Sequence, residues 1–280
     1  MTWERFRSLP DASSGERIAW GRRASSFGEL ALPSRPAPHP VAVVVHGGCW
    51  RTTADLTYMR HLAAALVDRG WATWSIEFRR VDEEDARWPA ILEDVGAGID
   101  HLRVLAREYP LDLGRVVATG HSSGGHLALW AASRHRLPDS AEGAALRGKA
   151  PLRLAGIVGL APITGLEDFH RRRDRSCPDS AVSDLLGGGD DLPADRLRLA
   201  DPALLAPLDV PQLLLIGSDD DTVPPAHVHT FAEGVSNAGD RVVVVEVEGA
   251  GHFEVVAPWT PSWRTAVGPA IDTFLAGVEG

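Results

Sequence analysis

Cysteine is almost missing from this 280-residue chain, which holds only Cys49 and Cys177. Two thiols so far apart in sequence make neither a disulfide framework nor a zinc site, and such scarcity fits a reducing compartment. Long apolar runs are missing too. None reaches the roughly 18 residues that a membrane-spanning helix needs, and Met1–Arg7 has no apolar stretch behind its charges as a secretion signal would. Positive charge is in deficit, with 28 Lys and Arg against 38 Asp and Glu and a net charge of −10. That balance argues against a nucleic-acid or anionic-membrane surface, since either calls for clustered Lys and Arg. The one basic run, His170–Arg173, is interrupted at once by Asp174 and reads as a solvated loop. There are no internal repeats and no low-complexity segments. A soluble, cytoplasmic protein acting on a small molecule is expected.

What the chain does have is apolar content, 44 % by residue, enough for a large core. Short β-branched runs alternate with helix-forming ones. After weak strands near Arg17–Trp20 and Phe27–Leu32, the proline-rich stretch Pro33–Pro40 leads into Val41–Val45, whose continuous apolar character suits a strand buried on both faces. A helix over 55–69, a strand over Trp71–Phe78, a helix over Ile91–Tyr109 and a strand over Arg115–Thr119 follow. Leu154–Leu160, Gln212–Ile216 and Val242–Val247 supply further strands, with helices over 225–238 and 263–277. This alternation predicts one α/β domain over 1–280, a mostly parallel doubly wound sheet with ligands beyond the carboxyl ends of its strands. Residues 162–207 are too long for a plain loop and read as a lid or insertion after the sixth strand.

Gly120-His121-Ser122-Ser123-Gly124-Gly125 lies between a predicted strand and the helix-forming run His126–Ala132. A strand turning directly into a helix strains its middle residue, and glycines two before and two after let the chains pass without a Cβ clash. Ser122 is thereby raised above the sheet edge at the positive end of a helix. A serine nucleophile needs a base and an orienting acid, which the α/β-hydrolase fold supplies in the order serine, acid, histidine. Downstream, Asp219, Asp220 and Asp221 stand in the turn after one buried strand, and His252 stands in a glycine-flanked loop after the next. His121, His126, His227 and His229 read as structural or solvated.

Gly217-x-x-Asp220-x-x-Val223-Pro224 resembles the acid turn of α/β-hydrolase-fold esterases and their prolyl-peptidase-like relatives. His46-Gly47-Gly48-Cys49-Trp50 is similar to the H-G-G-x-W motif of kynurenine formamidase-like and hormone-sensitive-lipase-like esterases. The resemblance implies Asp220 as the acid of a Ser122–His252–Asp220 triad, and backbone amides of Gly48, Cys49 and Ser123 as oxyanion donors. It implies a serine hydrolase of small carboxylic esters that works through an acyl-enzyme without metal or organic cofactor. An arylformamidase, a prolyl-oligopeptidase-like peptidase and a non-catalytic binder on the same fold are the rivals. A cysteine nucleophile at Cys49 would lack its own elbow. At Cys49 only the amide is expected to matter, and Trp50, Trp259 and Trp263 are candidates for the wall of an apolar pocket. Trp88-Pro89 and the acids that follow, together with Phe78-Arg79-Arg80, read as architectural.

Overall fold

The apolar β-branched runs become the strands of one sheet in the structure, a computed structural model that describes residues 1–10, 12–172, 177–189 and 191–279. Its eight strands are β1 (Glu16–Ala19), β2 (Phe27–Ala31), β3 (His39–Val45), β4 (Ala72–Ile76), β5 (Leu111–His121), β6 (Gly156–Leu160), β7 (Gln212–Gly217) and β8 (Val242–Val247). They lie side by side in the order β1-β2-β4-β3-β5-β6-β7-β8. β2 runs antiparallel to β1 and β4, and every pairing from β4 onward to β8 is parallel. Parallel neighbours need crossovers, and the helices between the strands provide them. β3, β4, β6 and β7 are buried along their whole length, as continuous apolar runs should be. β8 is one edge, where Val243 is 58 % exposed.

The register is what positions a site. Val45 of β3 pairs with Gly120 of β5, His121 with Leu160 of β6, and Gly217 of β7 with Val247 of β8. The strands therefore end together, and the loops after β3, β5, β7 and β8 emerge along one rim. These are the loops that carry Gly48, Ser122, Asp220 and His252.

Several expected elements are more broken than the periodicity suggested. The helix over 55–69 begins as a 3-10 turn, Leu56–Met59, where the Asp55 carboxylate accepts from the Thr57 amide at 2.9 Å, and continues as Arg60–Asp68. The helix over Ile91–Tyr109 divides into Ala90–Asp100 and Leu102–Leu105. The last helix opens with a π turn at Trp263–Val267 before Gly268–Glu279. A short helix, Trp3–Arg7, stands where only weak patterns were read. Arg79 makes a buried two-pronged pair with Asp94, each contact 2.7 Å, pinning the segment after β4 to Ala90–Asp100. Among the described residues no helix is long and apolar enough to cross a membrane.

Between β6 and β7 the insertion carries helices Leu166–Arg171, Ala181–Leu185 and Ala194–Ala200. Arg171 and Arg172 of the basic run pair with Glu167 and Asp168, while Arg173 and the interrupting Asp174 lie outside the described residues. His227 Nδ1 donates to Asp168 at 2.7 Å, and its Nε2 accepts from the Thr164 amide at 3.0 Å, which ties the insertion's root to Pro225–Asn237. The other end rests on Ser123–Ser133. There His126 Nε2 donates to the Ala200 carbonyl at 2.9 Å and Trp130 Nε1 to that of Leu199 at 2.8 Å, filling carbonyls that the end of Ala194–Ala200 leaves unpaired. Burial, opposed only in part by the Ala200 bond, pushes the His126 imidazole down to about 4. Its folded-state pKa lies below the ordinary value, so the unfolded chain binds the extra proton between pH 6.5 and 4. The His126 contribution to unfolding free energy is therefore expected to fall by about 3 kcal/mol as pH drops through that window. Urea titrations at pH 7 and 4.5 measure it, and His126→Gln should flatten the slope.

Candidate active site

Ser122 follows β5 with φ 56° and ψ −122°, a left-handed geometry that a side chain rarely tolerates. Backbone hydrogen bonds hold it there. Its amide donates to the Leu160 carbonyl at 3.0 Å, and its own carbonyl accepts from Gly125 at 3.0 Å and Ile163 at 3.1 Å. Glycine is required on both sides. A Cβ at Gly120 would strike the Gly124 carbonyl, and one at Gly124 would strike the carbonyl oxygens of Val45 and His46. The serine stands at the N-terminus of Ser123–Ser133, where the helix dipole favours negative charge.

The loop after β3 passes over this turn with three successive left-handed residues, Gly48 (φ 107°), Cys49 (φ 55°) and Trp50 (φ 60°). The Gly47 amide donates to the Tyr58 hydroxyl at 2.6 Å, and the Trp50 amide to Ser123 Oγ at 3.3 Å. Among the described residues the amides of Gly48, Cys49 and Ser123 have no partner within the protein. His46 is buried below the loop, with its Nε2 2.9 Å from Glu77 Oε1 and its ring stacked on Phe78. Burial raises the Glu77 carboxyl, but His46, Arg80 and the Phe78 amide outweigh it and hold the group below its ordinary value.

Of the three aspartates after β7, Asp220 is the one bonded to His252, with Nδ1 donating to Oδ2 at 2.8 Å. Its other oxygen accepts from the amides of Thr222 (2.9 Å) and Val223 (2.8 Å), and the side chain is wholly enclosed. Asp219 instead receives the Ser218 hydroxyl at 3.0 Å, and both Asp219 and Asp221 line the cavity rim. His252 and Ser122 border the same cavity of about 760 Å³, as do Gly48 and Cys49.

The tryptophan wall does not form as expected. Trp50 is only 1 % exposed and packs edge-on against His126, beneath the loop rather than in the cavity. Trp259 packs on Phe6 and His61, and Trp263 lies near Arg69 in a separate hollow. Trp3, Tyr58 and Phe253 supply the aromatic surface, with the Trp3 ring 5.4 Å from each of the other two. The signal that could have found Trp3 is Thr2, whose hydroxyl caps the helix, followed by Trp3 and Phe6 at helical spacing.

Comparison with known proteins places this geometry. The BD-FAE family profile matches residues 29–235, well over half the chain. The chain belongs to the BD-FAE family. Esterase LipQ of Mycobacterium tuberculosis is 26 % identical over 98 % of this chain and 72 % of its own length. The chain spans only 50–58 % of four other curated esterase relatives it matches. Among solved structures, a truncated carbohydrate esterase from gut microbiota superposes with TM-score 0.77 at 21 % identity, covering 96 % of both chains. Propionate-bound esterase 2 of Thermogutta terrifontis gives 0.74 at 21 %, covering 95 % of this chain and 94 % of that one. Such likenesses establish the α/β-hydrolase fold, and with the family they make this chain an α/β-hydrolase-fold esterase.

One sequence expectation is overturned in this BD-FAE member: Cys49 and Cys177 are not free thiols but a disulfide, with Cα atoms 5.7 Å apart. Folding brings the loop after β3 against the insertion, so sequence distance was no guide to pairing. The Cys49 side chain therefore matters as well as its amide, and the premise for a reducing compartment falls away. A second link runs beside it, where Arg51 pairs with Asp184 and approaches Ser180 Oγ at 3.3 Å. Reduction should lower unfolding free energy by about 2–4 kcal/mol. Thermal melts with and without reductant measure that loss, and non-reduced peptide mapping should recover Cys49 joined to Cys177.

Proposed function

We propose that the chain hydrolyses small carboxylic esters through a Ser122–His252–Asp220 triad and an acyl-enzyme. The observation that carries this reading is the His252 Nδ1–Asp220 Oδ2 bond on a histidine that borders the same cavity as Ser122. Because Nδ1 holds its proton toward the carboxylate, Nε2 is left with the lone pair. In the proposed cycle Ser122 Oγ attacks the ester carbonyl while its proton passes to His252 Nε2. The negative oxygen is received by the unpaired amides of Gly48, Cys49 and Ser123. His252 then returns the proton to the leaving alcohol, and the acyl group remains on Ser122. Water, deprotonated by the same nitrogen, attacks the acyl carbonyl, and His252 returns that proton to Ser122 Oγ as the acid is released. Asp220 holds the ring and stabilises the imidazolium formed on the way.

The likeness to propionate-bound esterase 2 and to a carbohydrate esterase favours a short acyl group, with the alcohol portion toward the polar rim of Asp219, Asp221 and Arg51. The insertion at 162–207 acts as a fixed cover rather than a free flap, since the disulfide and the Arg51–Asp184 pair tie it to the loop after β3. The disulfide also suits an oxidising location better than the cytoplasmic one expected from the scarcity of cysteine. The H-G-G-x-W motif keeps an arylformamidase as the second reading. Faster turnover of p-nitrophenyl acetate than of N-formylkynurenine supports the esterase, and the reverse ranking replaces it. Ser122→Ala should lower kcat on the order of 10⁴-fold or more with folding intact, and near-normal turnover would refute the nucleophile. Asp220→Asn should cost about 10³- to 10⁴-fold, whereas a larger loss in Asp219→Asn would move the acid.

A further inference from the structure

We infer that Tyr58 and His121 are positioning residues that keep the histidine loop and the oxyanion loop in register on either side of Ser122. The inference rests on the triad reading above. Three hydrogen bonds carry it, and their directions fix one another. The Gly47 amide can only donate, so the Tyr58 oxygen accepts from it at 2.6 Å. The Tyr58 proton is then directed at His121 Nδ1, 3.1 Å away. At the far side of the ring, His121 Nε2 lies 2.9 Å from the His252 carbonyl, which can only accept. A neutral His121 must therefore carry its proton on Nε2 and leave Nδ1 to accept from Tyr58.

The surroundings agree with that state. His121 is buried, its ring centroid is 4.5 Å from that of His252, and the Phe253 ring lies 5.5 Å away on another side. Burial first, and then the neighbouring imidazole, hold His121 well below the ordinary histidine range. Burial likewise raises the Tyr58 phenol, which stays protonated. A neutral ring beside His252 adds no like charge when His252 takes the serine proton. The chain of bonds thus joins the loop after β3 to the loop after β8 through the residue that precedes the nucleophile. Gly47 has little room to move, since a Cβ there would meet the His121 carbonyl, the Tyr58 hydroxyl and Ser122 Cβ.

Removing the phenolic oxygen breaks both of its bonds and leaves the aromatic packing of Trp3 and Phe6 on the Tyr58 ring in place. Turnover of p-nitrophenyl acetate by wild type, Tyr58→Phe and Ser122→Ala, with active sites counted by fluorophosphonate labelling, tests the inference. Tyr58→Phe should lose about 10- to 100-fold in kcat per labelled site while KM stays within about 3-fold, because the lost bonds orient reacting groups and do not hold substrate. A kcat within about 2-fold of wild type, alongside an inactive Ser122→Ala, overturns the inference alone. Normal turnover by Ser122→Ala overturns the triad reading and the inference with it. Should Tyr58→Phe fail to fold, nitrogen-15 spectra of wild-type histidine side chains at pH 7 decide. The His121 signals, assigned by their loss in His121→Gln, must show the Nε2–H tautomer, and an Nδ1–H tautomer or an imidazolium overturns the inference.

Discussion

Among the described residues, one of the tightest backbone crossings is that of the Ser122 turn with the end of β3. Gly124 sits where any side chain would strike the carbonyl oxygens of Val45 and His46, and Gly120 sits where one would strike Gly124. Because these backbones touch, the distance from the serine to the loop after β3 is set by the sheet and not by flexible side chains. The parallel register carries the same precision outward: Val45 beside Gly120, His121 beside Leu160 and Gly217 beside Val247 bring four loops to one level. Catalytic geometry placed on strand ends in this way inherits the rigidity of the core.

Around that crossing, buried polar groups are paired in ways that leave little rotational choice. Asp220 has both oxygens occupied, by one imidazole and two amides, so His252 meets a fixed acceptor. Glu77 performs a similar service below the loop, receiving His46, the Phe78 and Leu56 amides and Arg80. Low-dielectric surroundings make each such bond strong and each omission costly. By contrast, the amides of Gly48, Cys49 and Ser123 have no partner among the described residues, and Gly48 and Cys49 border the cavity.

Much of this was legible in the sequence where local chemistry is its own signal. Val41–Val45 and Gln212–Ile216 read as buried strands because continuous apolar runs have few other uses, and the elbow reads from glycines at fixed offsets. What escaped depends on contacts between distant residues. Tyr58 belongs to no motif, although it is one of only two tyrosines in the chain, and its role arises when β3, β5 and β8 align. Trp50 looked like a pocket wall because its motif borders the site, yet its left-handed backbone accompanies a ring packed under the loop against His126. The disulfide was missed for the same reason, since 128 positions separate its halves.

That covalent link orders the maturation of the enzyme. The elbow needs the chain up to Ile163, whose amide bonds the Ser122 carbonyl, but the loop above it cannot acquire its permanent anchor until Cys177 has been synthesised and an oxidant has acted. Assembly of the Ser122 turn and fastening of the loop beside it are therefore separate events in the life of the polypeptide, and a host that supplies ribosomes without oxidising power delivers the first without the second.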